Sequence, residues 1–88
     1  MRKRFFVYVL ASAQSGRLRT YVGWTHDLDA RIEKHNSGRG AKATRGRAWI
    51  LFYAERHRSR IGAMRREWAL KHDRIFRALL REGVRDAF

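Results

Sequence analysis

The chain of 88 residues carries 21 Lys and Arg against 8 Asp and Glu, a formal net charge of +13, and has neither cysteine nor proline. Such a length holds one small domain; the missing cysteines exclude a disulfide scaffold or a thiolate zinc site, and no apolar run approaches the ~20 residues of a membrane span. A hydrophobic fraction of 44% supplies a core in spite of the charge, whose self-repulsion calls for a polyanionic partner, nucleic acid before any other.

Met1–Arg4 followed by the apolar Phe5–Ala11 imitates the basic and hydrophobic regions of a secretory signal, and Ala11–Ala13 imitates a cleavage site. The stretch is about half the usual ~15–30 residues, and its removal would take away the most strand-like segment of the chain. Phe5–Ala11 is therefore read as a strand covered on both faces, and the protein is expected to stay in the cytoplasm. Ser12–Gly16 carries turn chemistry. Leu18, Thr20, Val22 and Trp24 then alternate with Arg19, Tyr21 and Gly23, the period-2 pattern of a second strand. A hairpin loop over Ala13–Gly16 would set Tyr8 directly opposite Tyr21, projecting two phenols from one face. An aromatic cross-strand pair would equally account for this feature alone.

Asp27–Asn36 reads as a helix ended by Asn36-Ser37-Gly38. Leu28 and Ile32 form its buried stripe, and Arg31 and His35 fall at the edge of that stripe. Ser37–Arg47 is a loop rich in glycine and cations, and Ala48–Ala54 reads as a third buried strand. Ser59 can cap a helix running to about His72, and Asp73 a last helix over Arg74–Glu82, ended by Gly83. The order β-β-α-β-α-α indicates an α+β fold with helices packed on a small sheet. One domain over residues 5–83 is expected, with short tails at 1–4 and 84–88.

On the wheel of the helix after Ser59, Ile61, Ala63, Met64, Trp68 and Leu70 fill one half, and Glu67 falls near its middle. A carboxylate there must be protonated, paired or bound to a metal, because an unpaired buried charge costs several kcal/mol. A Glu67–Lys71 pair at i,i+4 competes with a metal ligand as the explanation. Tyr8, Tyr21, Arg31, His35 and Glu67 all point to where sheet and helices meet. The set suits phosphodiester chemistry: a phenol or imidazole takes a proton from water, an arginine offsets phosphate charge, and one carboxylate holds a single Mg²⁺.

Val7-Tyr8-Val9 followed by Tyr21-Val22-Gly23 resembles the paired signature of the GIY-YIG nuclease superfamily. The likeness continues through Thr25-x-Asp27-Leu28-x-x-Arg31, His35-Asn36-Ser37-Gly38, Lys42-x-Thr44-Arg45-Gly46-Arg47 and Ala63-x-x-x-Glu67 with Lys71. It covers roughly residues 5–80 and looks most like the small single-domain bacterial branch. Val7 and Val9 replace the glycine and isoleucine of the name, Ala48 stands where relatives often have proline, and Trp24-Thr25 occupies the place of a lysine found in some relatives.

The resemblance implies a three-stranded antiparallel sheet flanked by helices and a divalent-metal-dependent DNA endonuclease, nucleoid-associated in a bacterium and serving DNA repair, recombination or processing. Tyr8 would activate the attacking water, with Tyr21 sharing or positioning that role. Arg31 would hold the scissile phosphate, His35 would assist the proton transfer, and Glu67 would bind Mg²⁺ or Mn²⁺. Arg39, Lys42, Thr44, Arg45, Arg47 and Lys71 are the candidates for gripping nucleic acid, single-stranded or branched DNA included. Trp24 and Trp49 could stack on unpaired bases or fill the core beside Trp68. A non-cleaving DNA- or RNA-binding module on the same scaffold, or a basic structural protein, are the rival readings.

Overall fold

The computed structural model describes residues 4–14 and 16–87. Its elements are β1 (Phe5–Gln14), β2 (Arg17–Thr25), α1 (Leu28–Asn36), a 3-10 turn (Lys42–Thr44), β3 (Ile50–His57), α2 (Arg60–His72) and α3 (Arg74–Ala87). Both strand pairings are antiparallel, in the order β2-β1-β3. The expected α+β class and element order are therefore present.

β1 is central because its residues are apolar on both faces, and both faces are covered. On one side Val7, Val9 and Val22 pack with Ala63 and Leu70 of α2 and Leu80 of α3. On the other, Tyr8, Leu10 and Trp49 form a second cluster flanked by Tyr21 and by Leu28 and Ile32 of α1. The sheet thus separates α1 from α2 and α3.

The hairpin register differs from the expected one. The last pair is Gln14 with Arg17, and Gly16 takes the left-handed φ of 75° that a tight reversal requires. β1 runs on to Gln14 through most of the stretch read as a turn, and Ser12 is buried and paired with Arg19. Tyr8 lies opposite Gly23, and Tyr21 opposite Leu10. The two tyrosines are diagonal neighbours on one face rather than directly opposed partners.

β3 is not the buried strand expected over Ala48–Ala54. It is an edge strand starting at Ile50, with Ile50 and Leu51 largely exposed and an irregularity where its pairing passes from Val9–Tyr53 to Leu10–Leu51. Trp49 is drawn out of the ladder because the Asn36 side chain holds both its backbone groups, accepting from its N–H at 2.6 Å and donating to its carbonyl at 3.0 Å.

Ser59 and Asp73 cap their helices as expected, accepting from Gly62 N–H and Phe76 N–H, and Asp27, read as the first residue of its helix, is instead its cap and accepts from Ala30 N–H. The buried face of α2, however, is narrower than its apolar half. Ala63 and Leu70 are buried with Arg66 and Glu67 beside them, whereas Ile61, Met64 and Trp68 are exposed. Three strands ~4.8 Å apart make a sheet only about one helix diameter wide, and two helices share this face, so their outer arcs stay bare. α3 passes through Gly83 to Ala87 instead of stopping there. Phe76 and Leu80 pack into the core beside the sheet, and Val84, one turn further on, is fully buried; this burial outweighs the roughly 1 kcal/mol that a mid-helix glycine costs. Residues 84–87 are consequently helix and not tail, while residues 1–3 of the expected basic tail, Ser15 of the expected turn, and Phe88 lie outside the described residues. Among the described residues no helix is long and apolar enough to cross a membrane.

Candidate active site

Strand alternation aims Tyr8 at α1, and its ring crosses β2 where the opposing residue has no side chain. A Cβ at Gly23 would lie 2.5 Å from the Tyr8 hydroxyl, so this approach requires glycine. The phenol is 1% exposed and shares a 2.9 Å hydrogen bond with His35 Nε2. His35 sits in the last turn of α1, equally buried, with its Nδ1 2.8 Å from Thr44 Oγ1. The Tyr21 ring completes a triangle, its centre 4.9 Å from that of His35 and 6.4 Å from that of Tyr8.

Charge converges on the same point. Burial, above all, pushes the Tyr8 phenol well above the ordinary tyrosine range; Tyr21 and Glu67 push the same way and the Arg31 guanidinium opposes them. Burial and then Arg31 hold His35 below the usual histidine value, which keeps the imidazole neutral. Arg31 is half-buried one turn before His35, and among the described residues its guanidinium has no carboxylate partner. A half-buried cation with open donors beside a phenol is suited to receive an anion. Tyr8, Tyr21 and His35 are thus in direct contact, Arg31 acts on both Tyr8 and His35 through its charge, and Glu67, on α2 across the sheet from α1, acts on Tyr8 most weakly.

Glu67 is partly buried and accepts a hydrogen bond from Lys71 Nζ at 3.3 Å, the i,i+4 pair that stands as the alternative to a metal ligand. Among the described residues no three His, Cys, Asp or Glu side chains come together as a metal cage. One carboxylate suits a hard cation that keeps several waters and takes substrate phosphate oxygens, as Mg²⁺ does, and does not suit zinc. A hard divalent cation at Glu67 would have this one carboxylate as its protein ligand, in competition with the Lys71 ammonium.

The candidates for gripping nucleic acid divide. Lys42 and Arg45 are exposed and, among the described residues, without an ion pair. Arg39 is exposed but pairs with Glu33 at 3.0 Å, and Lys71 rests on Glu67. Arg47 braces the hairpin, donating from Nε to Ser12 Oγ at 3.1 Å and from an Nη to the Arg17 carbonyl at 2.7 Å. Thr44 is fully buried and cannot touch a nucleic acid; its hydroxyl serves the interior because the 3-10 turn folds it under the loop. Trp49 is core, its indole N–H donating to the Thr44 carbonyl at 2.8 Å. Trp24 points to the α2–α3 side, where it packs with Phe5 and carries the Arg60 guanidinium over its ring. Trp68, expected in the core, is exposed and stacks on His72.

Two contributors were not legible as such. Gly23 was visible only as the end of a tripeptide, and Thr44 only as one polar residue among cations. A cluster on the far side of the sheet was also missed: Glu55 of β3 binds Arg66 of α2 through two hydrogen bonds of 2.8 and 3.0 Å and accepts another from Tyr53, with His57 Nε2 at 3.0 Å.

The sequence model of the GIY-YIG catalytic domain matches residues 4–75. A UPF0213 protein of Streptococcus sanguinis is 40% identical over 72 residues, which covers 81% of this chain and 79% of the relative. A UPF0213 protein of Staphylococcus aureus is 40% identical over 67 residues, 75% of this chain and 78% of its own length. A UPF0213 protein of Bacillus halodurans, solved by solution NMR, shares 38% identity across 90% of this chain and 83% of that one, with a TM-score of 0.48. By the extent of the domain match and the identity to these relatives, the chain belongs to the GIY-YIG family, in its small UPF0213 branch.

Proposed function

We propose that the protein is a metal-dependent endonuclease that hydrolyses phosphodiester bonds in DNA, single-stranded or branched DNA included, and acts in the bacterial cytoplasm on nucleoid DNA during repair, recombination or processing. The observation that carries this reading is the buried hydrogen bond between Tyr8 and His35, together with an Arg31 guanidinium that has no carboxylate partner among the described residues. Arg31 holds the scissile phosphate and offsets the charge that grows on it. Tyr8 takes a proton from the attacking water as it passes its own to His35 Nε2, so no free phenolate has to form in a site that disfavours one. The water oxygen bonds to phosphorus and the bond to the leaving oxygen breaks. Tyr21, packed on both Tyr8 and His35, holds the pair in register and walls it from solvent. Glu67 would hold a divalent ion, which would supply further neutralisation of phosphate and leaving-group charge. Lys42 and Arg45 steer the backbone into place.

The non-cleaving binding module is favoured by one observation, the Glu67–Lys71 contact, which would leave the carboxylate occupied. Cleavage of single-stranded, forked and duplex DNA and of RNA, with Mg²⁺, Mn²⁺ or EDTA, separates the two. Tyr8→Phe and Glu67→Ala are expected to lower cleavage by about a hundredfold or more, the range of a lost acid–base group, while leaving nucleic-acid affinity in place. Tight binding with no metal-dependent cutting of any substrate would establish the binding module instead.

A further inference from the structure

We propose that Thr44 is a positioning residue that fixes His35 in the Nδ1-protonated tautomer and so makes Nε2 the acceptor of the Tyr8 proton. The inference deepens the nuclease reading and rests on it for its catalytic consequence, though not for the tautomer itself.

Hydrogen counting leads to this assignment. Thr44 Oγ1 lies 2.8 Å from the Ala41 carbonyl and 2.8 Å from His35 Nδ1. A carbonyl has no proton to give, and two oxygen lone pairs that close would repel, so the single hydroxyl proton goes to Ala41. Oγ1 then meets Nδ1 with a lone pair, which requires the proton on Nδ1. A neutral imidazole has one such proton, so Nε2 is bare, and the 2.9 Å bond with Tyr8 runs from the phenol O–H to the ring. The opposite tautomer would turn an N–H toward Tyr8 and leave the phenol no route for its proton into the protein.

The device is held rigidly. Thr44, His35 and Tyr8 are each no more than 1% exposed. The Thr44 carbonyl is pinned by the Trp49 indole, and Trp49 by the Asn36 side chain. At Gly40 even a Cβ would come within 2.6 Å of His35 Nδ1, so the loop backbone closes against the ring. When the proton moves, the Tyr8 O–H bond breaks and a Nε2–H bond forms; the imidazolium keeps its Nδ1–H on Thr44, and Thr44 itself stays neutral. Water replaces the proton on Tyr8, and the imidazolium releases its own to solvent as the product leaves. The groups facing His35 during this exchange are Tyr8 of β1, Tyr21 of β2, Arg31 of α1 and Thr44 of the loop.

The test is long-range ¹⁵N–¹H NMR of the uniformly labelled full chain at neutral pH, with His35 assigned through His35→Gln. Wild type is expected to show a protonated Nδ1 and a bare Nε2 at His35. Thr44→Val, close in shape but without a hydroxyl, is expected to lose the single tautomer and lower kcat about tenfold or more, the scale seen where a partner orients a functional histidine, with KM little changed. Thr44→Ser is expected to restore both. A wild-type Nε2–H, or a Thr44→Val protein with unchanged tautomer and kcat, overturns the proposal. Should Thr44→Val fail to fold, the wild-type spectrum and Thr44→Ser decide it. The bare Nε2 without cleavage of any nucleic acid would refute the nuclease reading and leave the tautomer assignment standing.

Discussion

Tyr8 depends on what is missing beside it. Gly23→Ala would put a Cβ 2.5 Å from the Tyr8 hydroxyl, so the ring or the strand would have to shift. The substitution is expected to destabilise the fold by about 1–3 kcal/mol, as overpacking does, and to break the bond to His35; urea unfolding and the cleavage rate check the two parts. His35 sets the pH response. Its imidazole must be neutral to accept a proton, and burial with the charge of Arg31 favours the neutral form. Cleavage is therefore expected to keep its full rate until the pH falls below the ordinary histidine value of 6.5, then to drop as the imidazolium forms. A rate–pH profile whose acid limb lies above 6.5 would contradict this placement of His35.

Between elements, the strongest polar tie joins β3 to α2. Glu55 is held down to about 2, first by the hydrogen bonds from Arg66, then by those from Tyr53 and His57, against the opposing effect of burial. The same tie raises Tyr53 and Arg66. Because the folded value lies below the unfolded one, this stabilisation is complete above about pH 4.5 and is lost as the pH falls toward about 2. Arg66 is 41% exposed, so screening reduces the contribution to on the order of 2 kcal/mol. Thermal melting of wild type between pH 6 and 2 should show this loss, and Glu55→Gln should be less stable at neutral pH with a flatter acid limb. Arg66 precedes Glu67 in α2, so the tie also sets the rotation at which Glu67 is held. Had the helix turned to bury Ile61, Met64 and Trp68, Glu67 would have been carried elsewhere.

Over the whole molecule, 21 cations face 8 acids, but they are not equivalent in what they can offer a phosphate. Lys42 and Arg45 stand unpaired among the described residues, whereas Arg39 and Arg47 are engaged with the protein. Removing both Lys42 and Arg45 is expected to weaken duplex binding and to lower the slope of log affinity against log salt by about 2, since each phosphate left unneutralised keeps its counterion. Arg39→Ala should change the slope less, because Glu33 already neutralises that charge. Fluorescence anisotropy over a salt series measures both.

The chain by itself determined the element order, the helix caps at Ser59 and Asp73, the two-faced burial of β1 and the common face of Tyr8 and Tyr21. These features are local: apolar periodicity, side-chain oxygens one turn from an N–H, and alternation along a strand are written in neighbouring residues. Hairpin register, the exposed edge at β3, the narrow buried face of α2, the continuation of α3 past Gly83 and the interior role of Thr44 were decided by tertiary structure. Each depends on a partner distant in sequence. Asn36 pulls Trp49 from the sheet, a sheet one helix wide cannot cover two apolar helix faces, and Val84 finds a core that keeps its helix going. Thr44 followed the same rule: its sequence neighbours are cations, but its hydroxyl answers to a histidine nine residues away, and only the folded loop brings that ring within hydrogen-bonding distance.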